Sequence, residues 1–306
     1  MSLAQGIDVS VFQKTVNWTR VAGAGISFVF VRCSFAGVVD GMFAKHWPGA
    51  KADGLLRGAY HFLVPNLDPR KQAEVFINAL TPDPGELPPV LDLEEGSAKI
   101  TSAAQYAEFA LAWLTAVEGA LGTRPILYTG AGFWDFKMPV NGQFPAWAAS
   151  YPLWVASYPM RDGAPPLDQL VAGKFKPRMP KSWTAHTIWQ YSERGRVDGV
   201  TDPNGAPANV DLNVFRGSFD ELKAWAQPQS VPLVDIRAYT NMQVITAFVR
   251  AFGRNGSRVL DDTGLLPALT GAPSATYAGP AIADIPTLTP EQELALSSAL
   301  RETTAG

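Results

Sequence analysis

An α/β fold, built as an irregular (β/α) barrel of the TIM-like type with a small, mainly helical C-terminal module, is predicted by three features of this 306-residue chain. Short apolar runs of strand character alternate with segments whose apolar residues recur at helical spacing, the order expected where parallel strands are joined by crossover helices. Several of those runs close on an acidic or aromatic residue, which gathers chemistry at the end of the strands where the loops of such a barrel converge. Composition then changes at Gln227-Pro228-Gln229-Ser230-Val231-Pro232, and helix signals restart beyond it. The expected boundaries are 1–227 for the barrel and 228–306 for linker and module. At 47% hydrophobic residues, a chain of this length can fill one sizeable core and a smaller one.

Taken in order, the first strand is Gly6-Ile7-Asp8-Val9-Ser10, and the second is the apolar run Ile26 to Cys33 with Arg32 near its end. Cys33, lone and embedded in that run, reads as a buried structural thiol and allows no internal disulfide. Gly58-Ala59-Tyr60-His61-Phe62 is the third strand. Asp68-Pro69 then supplies a capping residue and a proline at the first helical position, opening what reads as the first helix after a strand, with Ala73, Phe76, Ile77 and Leu80 on its packed face. After Pro88-Pro89-Val90-Leu91-Asp92-Leu93-Glu94-Glu95, the spacing Ser102-x-x-Gln105 forms a capping box for a helix with Tyr106, Phe109, Ala110, Trp113, Leu114 and Val117 on one stripe.

Pro125 to Gly130, Leu153 to Tyr158 and Ile188 to Tyr191 are further strands, but little helical pattern separates those after Pro152. That is the irregular part of the expected barrel. The turn-rich stretch Asp198 to Pro207 predicts a flexible flap before Asp211, its Asp and Asn serving as turn formers rather than calcium ligands. A helix around Phe219 to Ala226 ends the barrel.

The run through Asp92 and Glu94 carries two carboxylates at i and i+2, which on a strand face the same side with Cα atoms roughly 6 to 7 Å apart. Carboxylate pairs of glycosidases fall in that range, and the spacing leaves retaining and inverting geometries equally open. Asp8 and Asp211 stand near the ends of their own predicted strands. Four acids crowded in a partly apolar mouth repel one another, so at least one keeps its proton near neutrality and can act as a general acid. Tyr60, Tyr128 and Trp154 are the candidate sugar-stacking walls. Tyr158, Trp189 and Tyr191 divide between cleft and barrel wall, and His61 reads equally as a hydrogen-bonded structural residue.

Gly6 to Ser10, Gly58 to Phe62, Asp92-Leu93-Glu94, Pro125 to Gly130, Leu153 to Tyr158, Ile188 to Tyr191 and Ala208 to Asn213, taken as an ordered set, resemble the family 25 glycoside hydrolases, the muramidases of phage endolysins and bacterial lytic enzymes. The resemblance covers about residues 5–226. It implies cleavage of the β-1,4 bond between N-acetylmuramic acid and N-acetylglucosamine, with Glu94 as general acid and base, Asp92 assisting, and Asp8 and Asp211 completing the acidic cluster. It further implies a retaining course in which Asp92 either orients the substrate's N-acetyl group or stabilises an oxocarbenium-like state. Arg32 and Gln190 join Tyr60, Tyr128 and Trp154 as substrate-binding candidates. Phe35 departs from the family pattern, standing where a polar residue is common, which points to an altered subsite beside it. The rival reading is an inactive barrel that binds glycans and serves as a wall-recognition or interaction module.

No metal-ligand spacing is present, and no cofactor is expected. A formal charge of −3 gives no polybasic footprint for nucleic acid or anionic membranes. No apolar stretch approaches the roughly 20 residues of a membrane span. Met1 to Gln5 carries no secretory signal pattern, so synthesis in the cytoplasm and action on the wall after release or delivery are expected. In the C-terminal module, helices are predicted from Thr240 and from Thr289-Pro290. All nine Trp lie at or before Trp225, so the module is poor in sugar-stacking platforms. Wall binding, self-association and docking to a delivery particle are its three expected roles.

Overall fold

The computed structural model describes residues 2–96 and 98–226. The linker and module expected at 228–306 lie outside the described residues. The strands are β1 (Gln5–Val9), β2 (Thr15–Val16), β3 (Ile26–Phe35), β4 (Val38–Val39), β5 (Leu56–Phe62), β6 (Val90–Asp92), β7 (Ile126–Gly130), β8 (Leu153–Ala156), β9 (Ile188–Gly195), β10 (Val200–Thr201) and β11 (Val210–Phe215). The helices are α1 (Trp18–Gly23), α2 (Phe43–Ala52), α3 (Pro69–Leu80), α4 (Ala103–Leu121), α5 (Ala131–Lys137), α6 (Leu167–Val171) and α7 (Phe219–Ala226).

Eight strands close a barrel in the order β1-β11-β9-β8-β7-β6-β5-β3, with β3 returning to β1. Neighbours run parallel except at β11, which is antiparallel to both β1 and β9. The expected α/β barrel is therefore present, with one reversed strand. The reversal corrects the placement of Asp211. It stands near the start of its strand, and only because β11 runs backwards does that start share a mouth with the ends of the others.

Alternation along the strands sorts side chains into two cores. Phe28, Phe30, Tyr60, Val90, Ile126, Tyr128, Trp154, Ile188 and Phe215 fill the barrel, and Leu222 of α7 packs with them. Val29, Val31, Cys33, Leu91, Leu127 and Val155 face outwards onto Phe76, Trp113 and Leu114 of the helices. Space inside is so tight that two strands carry glycine at the crossing points. A Cβ on Gly6 would lie 2.3 Å from the Phe28 ring, and one on Gly58 would lie 2.1 Å from the Phe30 ring. The filled interior makes the barrel a closed floor beneath its mouth.

The helices obey their local signals. The Asp68 carboxylate accepts from the Arg70 N–H at 2.8 Å, and the Ser102 hydroxyl accepts from the Gln105 N–H at 3.2 Å. Gly122, at φ 68°, ends α4 in the left-handed region that favours glycine. Asp68-Pro69 does not open the first helix after a strand, however, because α1 and α2 precede it. A six-residue helix and one interrupted by Pro48 leave weak periodic signals. The stretch 198–207 also differs from the flexible flap expected. Val200 and Thr201 pair with Val16 and Thr15, Arg20 grips Asp198, and the Asp202 carboxylate accepts from the Asn204 and Ala206 N–H groups at 2.9 Å each. Turn chemistry was correctly expected there; the short ladder that pins it comes from a partner almost two hundred residues away.

Candidate active site

A pocket of about 220 Å³ opens at the barrel mouth, where the ends of β1, β3, β5, β6, β7 and β8 meet the early part of β9 and the start of β11. Asp8, Asp92, Glu94, Asp211, Arg32, Tyr60, Tyr128, Trp154 and Gln190 all line it. These nine residues, the catalytic and substrate-binding set named from the sequence, are thus brought to one place. Strand β6 stops at Asp92, so Glu94 is carried by the residues just beyond it. The Leu93 N–H still donates to the Tyr128 carbonyl at 2.9 Å, which prolongs the alternation and keeps Glu94 on Asp92's side.

Asp8 is the hub. Its Oδ2 accepts from Gln190 Nε2 at 2.9 Å and from Asn213 Nδ2 at 2.8 Å, and its side chain shares a further hydrogen bond with Asp211, its direct partner in the β1–β11 register. Burial pushes the Asp8 carboxyl above its ordinary value, while those three bonds pull it back down. Asp211 is pushed up to about 10 by burial and by the neighbouring Asp8, with Glu193 and Glu94 adding to the shift. Two acids sharing one hydrogen bond must hold one proton between them.

Asp92 is buried, and its carboxyl is pushed well above the usual range by burial first and then by Glu94 and Asp8; Arg32 opposes the shift. Its Oδ1 is buried with no hydrogen-bond partner among the described residues. Glu94 is half-buried and is raised from 4.5 to about 7, by burial and then by the charges of Asp8 and Glu193.

The aromatic candidates separate. Trp154 is only 2% exposed, its face is stacked on Phe30 at 4.6 Å, and its indole N–H donates to Asn213 Oδ1 at 2.8 Å. It belongs to the pocket floor. Tyr60 and Tyr128 stand beside it, edge to face, at 6.4 and 4.8 Å between ring centroids. Tyr158 is a rim residue whose hydroxyl donates to Gln190 Oε1 at 2.6 Å. Trp189 and Tyr191 face outwards into the helix-side core. His61 faces outwards too, bonded to Ser34 and Gln72 and stacked on Trp113 at 5.4 Å, and burial pushes it down to about 4. Cys33 is buried and its thiol is pushed up to about 12, in keeping with a structural role.

Sequence reasoning missed Phe12, Gln13, Phe62 and Asn213. Phe12 is 78% exposed at the pocket rim, and the Arg32 guanidinium lies 5.4 Å from its ring and 5.9 Å from that of Phe35. Asp40 holds Arg32 through Nε at 2.7 Å. Phe35 therefore steadies a pocket cation. Asn213 was visible as the second residue beyond Asp211 on the same strand face, a signal equal to the one that singled out Asp92 and Glu94. Among the described residues, no group of three or more His, Cys, Asp or Glu is arranged to hold a metal ion.

The family model described as "Glycosyl hydrolases family 25" matches residues 7–200, well over half of the chain. The chain belongs to glycosyl hydrolase family 25. This family 25 protein is 34% identical over 227 residues to the uncharacterized protein YegX of Escherichia coli strain K12, a match spanning 72% of each chain. Lysozyme M1 of Streptomyces globisporus is 31% identical over 235 residues, covering 72% of this chain and 71% of its own. Among solved structures, the bacterial lysozyme from Streptomyces coelicolor superposes with a TM-score of 0.61 at 29% identity, covering 75% of the family 25 chain and 100% of that lysozyme.

Proposed function

We propose that the chain is a muramidase, hydrolysing the β-1,4 bond between N-acetylmuramic acid and N-acetylglucosamine in bacterial peptidoglycan, with Glu94 as the proton donor and Asp92 assisting. The observation that carries this reading is the gathering of Asp8, Asp92, Glu94 and Asp211 in one pocket, where burial and its acidic neighbours raise the Glu94 carboxyl toward neutrality and Asp92 keeps a buried Oδ1 with no partner among the described residues. A carboxyl raised toward neutrality keeps its proton where an ordinary glutamate has lost it, the condition that suits a general acid. The lysozymes among its relatives support the substrate.

In the first step Glu94 gives its proton to the glycosidic oxygen as the bond to the anomeric carbon breaks. Positive charge developing at that carbon is offset by the neighbouring carboxylates. Asp92 Oδ1 accepts the N–H of the 2-acetamido group, which turns the acetamido oxygen toward the anomeric carbon as internal nucleophile, an accepted variant of the two-carboxylate scheme. That bond also favours the ionised form of Asp92. Water then attacks, the Glu94 carboxylate takes its proton, and the acid is restored. Tyr60, Tyr128, Gln190 and Arg32 border the sugar, with Trp154 closing the floor.

The substrate places the site of action at the cell wall, after release or delivery. No helix of the described residues is long and apolar enough to cross a membrane. Residues 228–306 concentrate the enzyme on the wall or on a partner. Dye release from purified peptidoglycan, with mass spectrometry of the fragments, tests the activity. Fragments ending in reducing N-acetylmuramic acid are expected. Reducing N-acetylglucosamine would overturn the bond assignment, and binding without any release would establish the inactive glycan-binding barrel.

A further inference from the structure

Two amide side chains meet the Asp8 carboxylate, and one of them, Asn213, is not free to turn around. Asn213 presents Nδ2 to Asp8 because its Oδ1 accepts from the Trp154 indole N–H at 2.8 Å. An indole nitrogen only donates, so the flipped amide would set N–H against N–H and carbonyl against carboxylate. Gln190 presents Nε2 to Asp8 while its Oε1 accepts from the hydroxyls of Tyr128 at 2.8 Å and Tyr158 at 2.6 Å, and a flipped amide would set its carbonyl against the Asp8 carboxylate. Asp8 therefore receives a fixed donor from Asn213 and a second from Gln190, and its third hydrogen-bond partner, Asp211, is the acid among the three.

We infer that Asn213 and Gln190 are positioning residues which, held by Trp154 and by the Tyr128–Tyr158 pair, fix the negative charge on Asp8 and leave the shared proton on Asp211. The inference rests on the proposed muramidase chemistry, and it names which acid supplies the charge felt by Glu94. The groups facing Asp8 from the surrounding elements are Arg32 of β3, Tyr60 of β5, Asp92 and Glu94 at β6, Tyr128 of β7, Tyr158 after β8 and Asp211 of β11. Burial keeps all three tyrosines neutral by pushing their hydroxyls up. Asp8 is the first-ranking charge acting on Glu94, so losing that charge lowers Glu94 and moves the alkaline limb of activity to lower pH.

The test uses the full chain and compares Asp211→Asn, Asp8→Asn and Asn213→Leu by the pH dependence of kcat/KM on peptidoglycan. Asparagine at 211 stands in for a neutral acid that donates to Asp8, so its alkaline limb stays at the wild-type position. Asp8→Asn removes the anion, moves the limb acidward by at least ~0.5 pH unit and costs about tenfold or more beyond Asp211→Asn. Asn213→Leu moves the limb the same way. Equal limbs for the two aspartate variants, or a wild-type limb in folded Asn213→Leu, would overturn the inference.

Should Asn213→Leu fail to fold, carbon-13 titration of the side-chain carboxyls in the wild-type protein decides. An ionised Asp8 beside a neutral Asp211 at neutral pH supports the assignment, and the reverse order overturns it. This readout needs no turnover. A wild-type protein that leaves peptidoglycan uncut would sink the muramidase reading by itself while the titration still located the proton.

Discussion

Replacing Glu94 by glutamine should destroy activity and yet stabilise the fold, and only at alkaline pH. The carboxyl rises from 4.5 in the free chain to about 7 in the folded protein. Between those values the folded state binds the proton and the unfolded state does not, so stability falls as pH rises through that window and the loss is complete above it. At about 1.4 kcal/mol per pH unit the ionised side chain costs about 3 kcal/mol. Solvent reaching a half-buried group trims this to about 2 kcal/mol. Glutamine escapes the cost, and it also removes the largest charge acting on Asp92. For a domain of this size the gain corresponds to roughly 4 to 8 °C in Tm. Thermal unfolding followed by tryptophan fluorescence reports the barrel, because all nine Trp precede residue 226. Glu94→Gln should melt above wild type at about pH 8.5 and level with it at about pH 4. Peptidoglycan cleavage should fall by at least ~100-fold. An equal Tm gain at both pH values would assign the effect to packing, and no gain at either would mean that Glu94 is not ionised in a desolvated site.

Three further outcomes follow from the same geometry. Asp92→Asn should lose roughly 100- to 1000-fold in kcat with its fold intact, read by steady-state kinetics beside circular dichroism; a loss confined to KM would reduce Asp92 to a binding group. Gly58→Ala, which drives a Cβ against the Phe30 ring, should cost about 1 to 3 kcal/mol in urea unfolding, and a wild-type midpoint would show that the barrel interior yields where it looks full. A chain cut after Pro228 should stay folded and active on soluble glycan fragments while losing activity on intact walls, because α7 already packs Leu222 against the barrel's inner core. Equal weakness of the truncated chain on both substrates would place residues 229–306 within the working unit.

Much of the barrel was legible because its signals are local. Alternation on β3 and β5, the Asp68 cap and the α4 stripe each depend on neighbours within a few residues. The pocket was legible for a related reason: parallel strands deliver their ends to one mouth, so an acid or aromatic at a strand end predicts its own position. What escaped depends on distant partners. The hold of Trp154 on Asn213 spans fifty-nine positions and the pairing of β2 with β10 nearly two hundred, and neither leaves a periodic trace. Trp154 was expected as an open stacking wall, but Phe30 covers its face, and only three-dimensional packing could reveal that. The direction of β11 was likewise invisible, since a strand reads the same in both senses.

That reversed strand makes the chemistry sensitive to the counting of residues. Asp8 and Asp211 oppose each other in an antiparallel register, where directly facing side chains stand about 4.5 to 5.5 Å apart at Cβ. Removing or adding one residue between Asp211 and Asn213 would turn Asp211 to the outer face and leave Asp8 with its two amides but no acid opposite. The same change in the turn at 202–207 leaves the phase of β11 untouched. Insertions and deletions accumulating in relatives should therefore crowd into that turn and spare the few positions after it, a pattern set by the parity of the backbone rather than by the reach of any side chain.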